Sequence, residues 1–486
     1  MCFLPKRNRK NLKTRLTFPQ NKSLHGKPEK RRLENFLKIT KISIAFRAFI
    51  LYNVFLDTEN RLAQEELGVY GIMDYKRILE GILDIGEAML CSGAENFRLD
   101  DTLYRMCKSY GFKRYDVFAI PSNIQITVET PEGEILTQVR HIESTGINYD
   151  RLDYLNNLAR YVCQNTPDAK ELHEKYLEVM NRPEPRQITT YLAGIMGGAG
   201  FAVFFGCGLM DGIVAVLVSA MIVFVGNWLG KREDNLLIYN LILAFLAEAI
   251  IIGMTFLGIG THPDRIMIGI VMLLISALST TNGIREVLQR DFISGLINIM
   301  NSILGAAGIA FGIAIAMRLC GGGHSDGFML NPSVPIQLIS CTVACTGFAL
   351  WFKIKGRQVF YSSIGAFCTW AIYVVAFEIW PSNFIATMAG GIFVAAYAFV
   401  MSRVNKAPAT IFLTASAFPL IPGPNLYYMM YGWVSGDNLM ARQETGILLE
   451  TCLAIALGFL IVDVVSRCML YAAKKEIHVG KRGNLN

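Results

Sequence analysis

The stretch NRPEPRQITTYLAGIMGGAGFAVFFG, from Asn181 to Gly206, is where the chain changes solvent. Its first residues are a Pro-punctuated, charged linker. From Ile188 onward it carries no charge and is long enough to cross a bilayer. Upstream of Pro185 the chain reads as basic and then soluble. Downstream, apolar stretches follow one another almost to the C-terminus, separated by short loops. That alternation marks a polytopic α-helical membrane protein and points to moving something across a bilayer. Composition agrees: of 486 residues, 52% are hydrophobic and 17% charged, and 43 glycines supply small contact residues for helix packing.

Ten spans are expected. The first five are Ile188–Gly206, Leu209–Leu229, Leu236–Leu257, Ile266–Thr280 and Phe292–Met317. The second five are Val334–Phe352, Phe360–Glu378, Phe384–Met401, Thr410–Pro422 and Thr445–Val465. The fourth and ninth are short, and the ninth ends in prolines. Lys231 and Arg232, Arg285 and Arg290, Lys353, Lys355 and Arg357, Arg403 and Lys406, and Lys474, Lys475 and Lys481 fall in every second loop and in the tail. The other loops hold little beyond Arg265, Arg318 and Arg442. The positive-inside rule then puts both termini in the cytoplasm and the Gly321–Gly327 loop outside. Five spans per half implies two halves of opposite orientation (186–320 and 331–470). Ser294-Gly295 and Thr445-Gly446 open the fifth and tenth spans as a faint echo. Inverted repeats with interrupted helices at matching places are typical of secondary transporters.

Outside the membrane, residues 1–73 form a basic, Asn-rich tail, expected to be disordered or to lie at the interface over Phe36–Leu56, with Met73 a candidate initiator. Residues 74–185 read as a soluble α+β domain. Ile78, Leu79, Ile82, Leu83, Ile85 and Met89 have helical spacing, a second helix runs from Glu95 to Tyr110, and strands follow at Asp116–Ile120, Ile124–Glu129 and Ile135–His141. Leu152–Val162 and Ala169–Met180 are helical again. Residues 471–486 are a basic tail.

The formal charge of +7 is explained by the tail and the basic loops, so no nucleic-acid partner is expected. The 11 cysteines are scattered without C-x-x-C spacing, and Cys341 and Cys345 lack His or carboxylate company, so neither metal nor cofactor is expected. Gly321-Gly322-Gly323-His324 lacks the Lys-Ser/Thr of a phosphate loop. With no nucleotide site, energy should come from an ion gradient.

Pro419, Pro422, Gly423 and Pro424 cannot all join one helical ladder, so the ninth span must break. Backbone freed at membrane depth is tolerated where protein or a water-filled cavity satisfies it. Thr414 and Ser416 precede the break; Asn425 and Tyr427 follow it. Thr280, Thr281, Asn282 and Arg285 are their first-half counterparts. Asn and Thr can bond both ends of an amino acid, and Arg285 can pair with a carboxylate or simply enforce topology. Glu248 sits mid-span in Phe245-Leu246-Ala247-Glu248-Ala249-Ile250, where an acid is costly unless it faces a cavity or carries a proton; Glu450 is the second candidate. Asn298 and Asn301 read as bundle glue. His141, Asp116 and Ser122 invite a hydrolase triad, without a G-x-S-x-G to support it.

Ser92-Gly93-Ala94-Glu95, with Arg98, resembles the N-terminal domain of the threonine/serine exporter family. Asp116-Val117-Phe118 before Pro121, Val139-Arg140-His141-Ile142, Gly146-Ile147-Asn148 and Leu155-Asn156 continue the likeness. In the membrane part, Thr281-Asn282-Gly283-Ile284-Arg285-Glu286, Asp291 through Ser294-Gly295, Ala407-Pro408-Ala409-Thr410-Ile411-Phe412 and Pro419-Leu420-Ile421-Pro422-Gly423 with Tyr427 are similar to the family's two junction signatures. One departure is Ser276-Ala277 where the family has Pro-Gly, so a softer first break is expected. The resemblance implies efflux of small polar metabolites, threonine and serine first and succinate as in a split-chain branch, with both halves fused here and no separate partner half needed. The expectation is a non-enzymatic, proton-driven secondary transporter of a bacterial-type inner membrane. Its partners would be a small amino acid or dicarboxylate and the lipid bilayer, with a homo-oligomer left open. A membrane-tethered hydrolase and a channel or sensor run by the soluble domain are the readings from other classes.

Overall fold

The computed structural model describes residues 74–483 apart from 144, 234, 276 and 322–331. The tail 1–73 with its Phe36–Leu56 helix and Met73, Ser276, and nearly all of the Gly321–Gly327 loop with His324 lie outside the described residues.

The N-terminal domain is α+β, as its periodicities require. In α1 (Tyr75–Cys91) the apolar stripe Ile78, Leu79, Ile82, Leu83, Ile85 and Met89 is buried, and the Asp74 carboxylate caps the helix by accepting from the Arg77 N–H. Then come α2 (Asn96–Ser109), β1 (Arg114–Ile120), β2 (Asn123–Glu129), β3 (Ile135–His141), α3 (Tyr149–Asn165) and α4 (Ala169–Met180). The strands form one antiparallel sheet in the order β1-β2-β3, with Ile120 opposite Asn123 and Asn123 opposite His141. Ile124, Ile126 and Val128 alternate toward the helices and are buried, which fixes the register.

The membrane region contains α5 (Gln187–Phe204), α6 (Leu209–Leu229), α7 (Leu236–Phe256), α8 (Pro263–Leu274), α9 (Ala277–Leu288) and α10 (Phe292–Cys320). It continues with α11 (Val334–Trp351), α12 (Arg357–Ile379), α13 (Asn383–Val404), α14 (Ala409–Ala417), α15 (Gly423–Ser435) and α16 (Asn438–Gly483). Eight of these are long and apolar enough to cross a membrane: α5, α6, α7, α10, α11, α12, α13 and α16. The expected fourth span, Ile266–Thr280, covers α8 and only the start of α9, and the expected ninth, Thr410–Pro422, covers α14 and stops before α15, so each run continues as a second helix past the expected end. α8 and α9 are bent by 54° at their junction. α14 and α15 are separated by a 3-10 turn over Phe418–Leu420 and by Pro422.

The halves pack by the same rules. α7 lies along α10 as α13 lies along α16; α9 packs on α10 as α15 packs on α16. The halves are laced crosswise, α9 on α16 and α15 on α10, and α5 runs against α11 at the centre. Glycines set these approaches. A Cβ on Gly308 or Gly312 would strike the Leu237 or Leu241 carbonyl, and one on Gly347 would strike the Gly197 amide.

Sidedness follows from contacts. The end of α9 and the basic loops after α11 and α13 all meet the N-terminal domain: Arg285 pairs with Glu95, Lys355 with Asp150, and Arg160 donates to the Lys406 carbonyl. At the opposite end the loops after α5 and α7 are tied together, the Asp211 carboxylate accepting from the Thr261 N–H at 2.6 Å and Arg265 donating to the Gly206 carbonyl at 3.0 Å. The α8–α9 pair therefore runs from that end to the domain side, and α14–α15 runs back.

Candidate functional site

The site is assembled from the C-terminus of α1 outward. Ser92 closes the helix, and Gly93 follows with φ +92°, in the left-handed region where a side chain is strained. This turn aims Glu95, the residue before α2, away from its own domain. The Gly146 and Asn148 N–H groups donate to the Cys91 and Ser92 carbonyls, so the Gly146-Ile147-Asn148 segment is built onto the same corner. The Asn148 side chain then caps α3, which begins at Tyr149. Two motifs distant in sequence thus present one face carrying Glu95, Asn96 and Tyr149.

That face docks on both broken helices. Glu95 Oε2 lies 2.6 Å from Arg285 Nη2 of α9 and 3.2 Å from Arg98 Nε. Glu95 Oε1 accepts from the Thr410 hydroxyl of α14 at 3.3 Å, and one turn further on Thr414 shares a 2.9 Å hydrogen bond with the Tyr149 hydroxyl. Asn96 Nδ2 donates to Glu286 Oε1, whose other oxygen accepts from Asn298 Nδ2 at 2.7 Å. The Arg285 side chain is only 6% exposed. Burial alone would raise the Glu95 pKa, but the charges and hydrogen bonds of Arg285 and Arg98 outweigh it and hold the group at about 2. Burial also raises the Tyr149 phenol, so it stays neutral.

Above this contact is a cavity of about 320 Å³ reaching the first break at Ile275 and the second at Phe418. Glu95, Asn96, Ser279, Asn282, Glu286 and Asn298 give it polar walls; Phe348, Phe352 and Phe418 close its apolar side, with Phe348 and Phe418 stacked at 4.0 Å. The Asn96 and Asn282 Oδ1 atoms are buried without a hydrogen-bond partner among the described residues.

Two family models match the chain. One, described as "Putative threonine/serine exporter", covers residues 80–320; the other, "Threonine/Serine exporter, ThrE", covers 337–465. The chain belongs to the threonine/serine exporter family. Among its relatives, the "Probable threonine/serine exporter" of Mycobacterium tuberculosis is 21% identical over 82% of this chain and 78% of its own length. The "Threonine/serine exporter" of Corynebacterium glutamicum is 21% identical over 79% and 81%. No solved structure matches. The chain is thus a multi-pass membrane protein with bacterial exporter relatives.

The family motifs divide by task. Of the first-half residues, Asn282 lines the cavity and Arg285 holds Glu95. Thr280 instead donates to Ser302 at 2.6 Å, and Thr281 faces Cys452 of α16. Thr414 meets Tyr149, and Asn425 donates to Glu444 at 2.8 Å, away from the cavity. Pro422 caps α15. Gly423 is needed for closeness rather than for backbone freedom: its φ lies outside the left-handed region, but a Cβ there would strike Met272 Sδ of α8. The first break forms without Pro-Gly, because Ile275 takes an extended conformation after its N–H closes on the Val271 carbonyl.

Glu248 is 2% exposed, and its Oε2 has no partner among the described residues. Asp264 of α8 and Tyr427 of α15 are within electrostatic reach of it, on the side away from the domain. Glu450 is exposed on α16 and lies apart from both clusters. Asn298 serves the cavity rather than acting only as glue. The sequence reading missed Asn96, Tyr149 and Thr410 as contacts, although all three adjoin or lie within quoted motifs. The hydrolase trio does not assemble: Asp116 pairs with Thr127 and His141 with Asn123, four positions apart along β2, or about 13 Å.

Proposed function

We propose that this protein exports small hydroxy amino acids, threonine and serine, by alternating access around the cavity between its two broken helices. The observation that carries the reading is the meeting of both breaks at one cavity with a buried guanidinium beside it and orphan acceptors within it. An amino acid has one carboxylate and one ammonium. Arg285 suits the first, and Glu286 with the Asn282 and Asn96 oxygens suits the second. A dicarboxylate would want a second buried cation in place of those acceptors, so succinate is the less favoured cargo. The printed names of both relatives support the same choice.

In this reading the N-terminal domain and both termini are cytoplasmic, in a bacterial inner membrane. The alternation of basic loops supports that, as does their shared contact with the domain. Glu248 is the proposed proton carrier, buried between two apolar helix neighbours and facing Asp264 and Tyr427.

Labelled threonine counterflow into threonine-loaded proteoliposomes of the purified full chain tests the function. Accumulation of threonine and not succinate is expected; succinate alone moves the assignment to the dicarboxylate, and no movement of either overturns transport. Thiol labelling of whole cells tests orientation: Arg357→Cys in a Cys-free background should be shielded from an impermeant reagent.

A further inference from the structure

The soluble domain supplies Glu95, Asn96, Ile147 and Tyr149 to the walls of the cavity, and at the centre of its contact is a carboxylate on Arg285. We propose that Arg285 is the carboxylate-binding subsite of the transport pathway, and that Glu95 occupies it as a resident stand-in for the α-carboxylate of an amino acid. The soluble domain is then the gate on its side of the membrane. This rests on the transport reading above and adds what the domain does.

Three observations lead here. Glu95 both lines the cavity and contacts Arg285, so its departure would join the guanidinium to the cavity. Arg285 Nε is buried without a partner among the described residues, so the guanidinium is held through Nη2 and retains an unused donor for a second carboxylate oxygen. The domain is also built to separate. It meets the bundle mostly through side chains, with a backbone hydrogen bond from the Tyr149 N–H to the Phe352 carbonyl, and an interface of that kind permits relative motion. Further ties include Lys355 to Asp150, Gln358 to Asp153 and Arg160 to the Lys406 carbonyl.

The electrostatics make the exchange selective. A buried cation stripped of its partner is strongly unfavourable. Glu286 and Asp463 also face Arg285, but Glu286 is held by Asn96 and Asn298, and Asp463 accepts from Gln289 at 3.2 Å. Opening without substrate therefore leaves Arg285 short of one carboxylate; opening with substrate replaces carboxylate by carboxylate. With its pKa at about 2, Glu95 is ionised throughout the physiological range, so the competition is charge for charge. A rise in amino-acid concentration on the domain side would release the gate, and the pathway would stay shut to leakage at low concentration.

The test compares Glu95→Gln and Arg285→Gln in the threonine counterflow assay. Glu95→Gln keeps size and hydrogen bonding but removes the competing charge, so the apparent KM on the domain side should fall about tenfold. Arg285→Gln should lose threonine transport. A latch that is purely structural predicts instead that both variants loosen the domain and shift KM in the same direction, and that outcome overturns the subsite. Thr410→Val removes only the second Glu95 contact and should shift KM the same way by a smaller factor, which covers poor folding of Glu95→Gln. Spin labels at Lys108→Cys and Arg357→Cys in a Cys-free background that keeps Glu95 and Arg285 should move apart on adding threonine; no change refutes the gate. Wild-type protein that moves no threonine at all would fault the transport reading, whereas wild-type transport with an unshifted Glu95→Gln KM faults the stand-in alone.

Discussion

Asp100 gives the domain contact a calculable pH dependence. It lies on α2, one carboxylate oxygen is buried without a partner among the described residues, and its pKa is raised from 3.8 to about 7. Burial is the larger cause and the charge of Asp291, the cap of α10, the second; a hydrogen bond with the Ala119 backbone opposes both. A carboxyl whose pKa is raised in the docked form binds its proton more tightly there. Against the unfolded chain its contribution is fully present below the free value near 3.8 and is lost as pH rises through about 7, and the share caused by Asp291 and the bundle belongs to docking. Between pH 6 and 8 one such group changes the balance by at most about 1.4 kcal/mol. Asp100 is only partly buried, so solvent screening reduces this to about 0.5–1 kcal/mol, which sets a ceiling of two- to fivefold on the docking equilibrium. The Tyr149 N–H donates to the Phe352 carbonyl across the contact, so its hydrogen exchange, corrected for intrinsic rate, reports docking directly. Wild-type protection should fall from pH 6 to pH 8 within that two- to fivefold ceiling, and Asp100→Asn should flatten the profile while keeping the domain folded. An unchanged slope in Asp100→Asn would show that another group titrates and that the Asp100–Asp291 juxtaposition does not govern the contact.

Gly93→Ala places a side chain at φ +92° and 3.3 Å from the Gly146 carbonyl. It should cost about 1–2 kcal/mol and lower the domain's melting temperature by circular dichroism. Pro422→Ala with Gly423→Ala should leave the protein in the membrane but abolish threonine efflux, since it favours a continuous helix and drives a Cβ into Met272. Normal efflux at normal expression would make that break a surface loop. Glu248→Gln should abolish accumulation driven by a pH gradient while exchange down a threonine gradient partly survives. Full accumulation would move the proton role elsewhere.

Much of the fold was legible because its determinants are local. The apolar stripe of α1, the strand alternation and the spans each follow from composition within one segment, and both broken spans showed as apolar runs too short for an uninterrupted crossing. The site was legible only in pieces. Asn282, Arg285 and Thr414 could be marked as polar groups near breaks, yet nothing in their neighbourhoods says that Arg285 meets Glu95, 190 positions away. Thr280 and Thr281 show the reverse error: polar residues beside a break look like cargo ligands, but helix rotation turns them toward Ser302 and Cys452. Gly423 sits at the break the prolines predict, but the close approach of Met272 that its missing side chain permits belongs to tertiary packing.

The two clusters differ in what they can sense. On the domain side the central contact is an ion pair whose carboxylate stays ionised throughout the physiological range, so protons do not break it there; in the proposed gate a competing carboxylate does. On the far side Glu248 is buried with one carboxylate oxygen unpartnered among the described residues, and Asp264 and Tyr427 are within electrostatic reach of it. A carboxyl buried in this way would repel a cargo carboxylate whenever it is ionised. In the proposed export reading, the domain side recognises cargo against a resident competitor and the far side disfavours the cargo's charge. Moving a cation to the far cluster, as in Tyr427→Lys, should therefore slow release and convert net efflux into trapped, exchange-only cargo in the threonine counterflow assay.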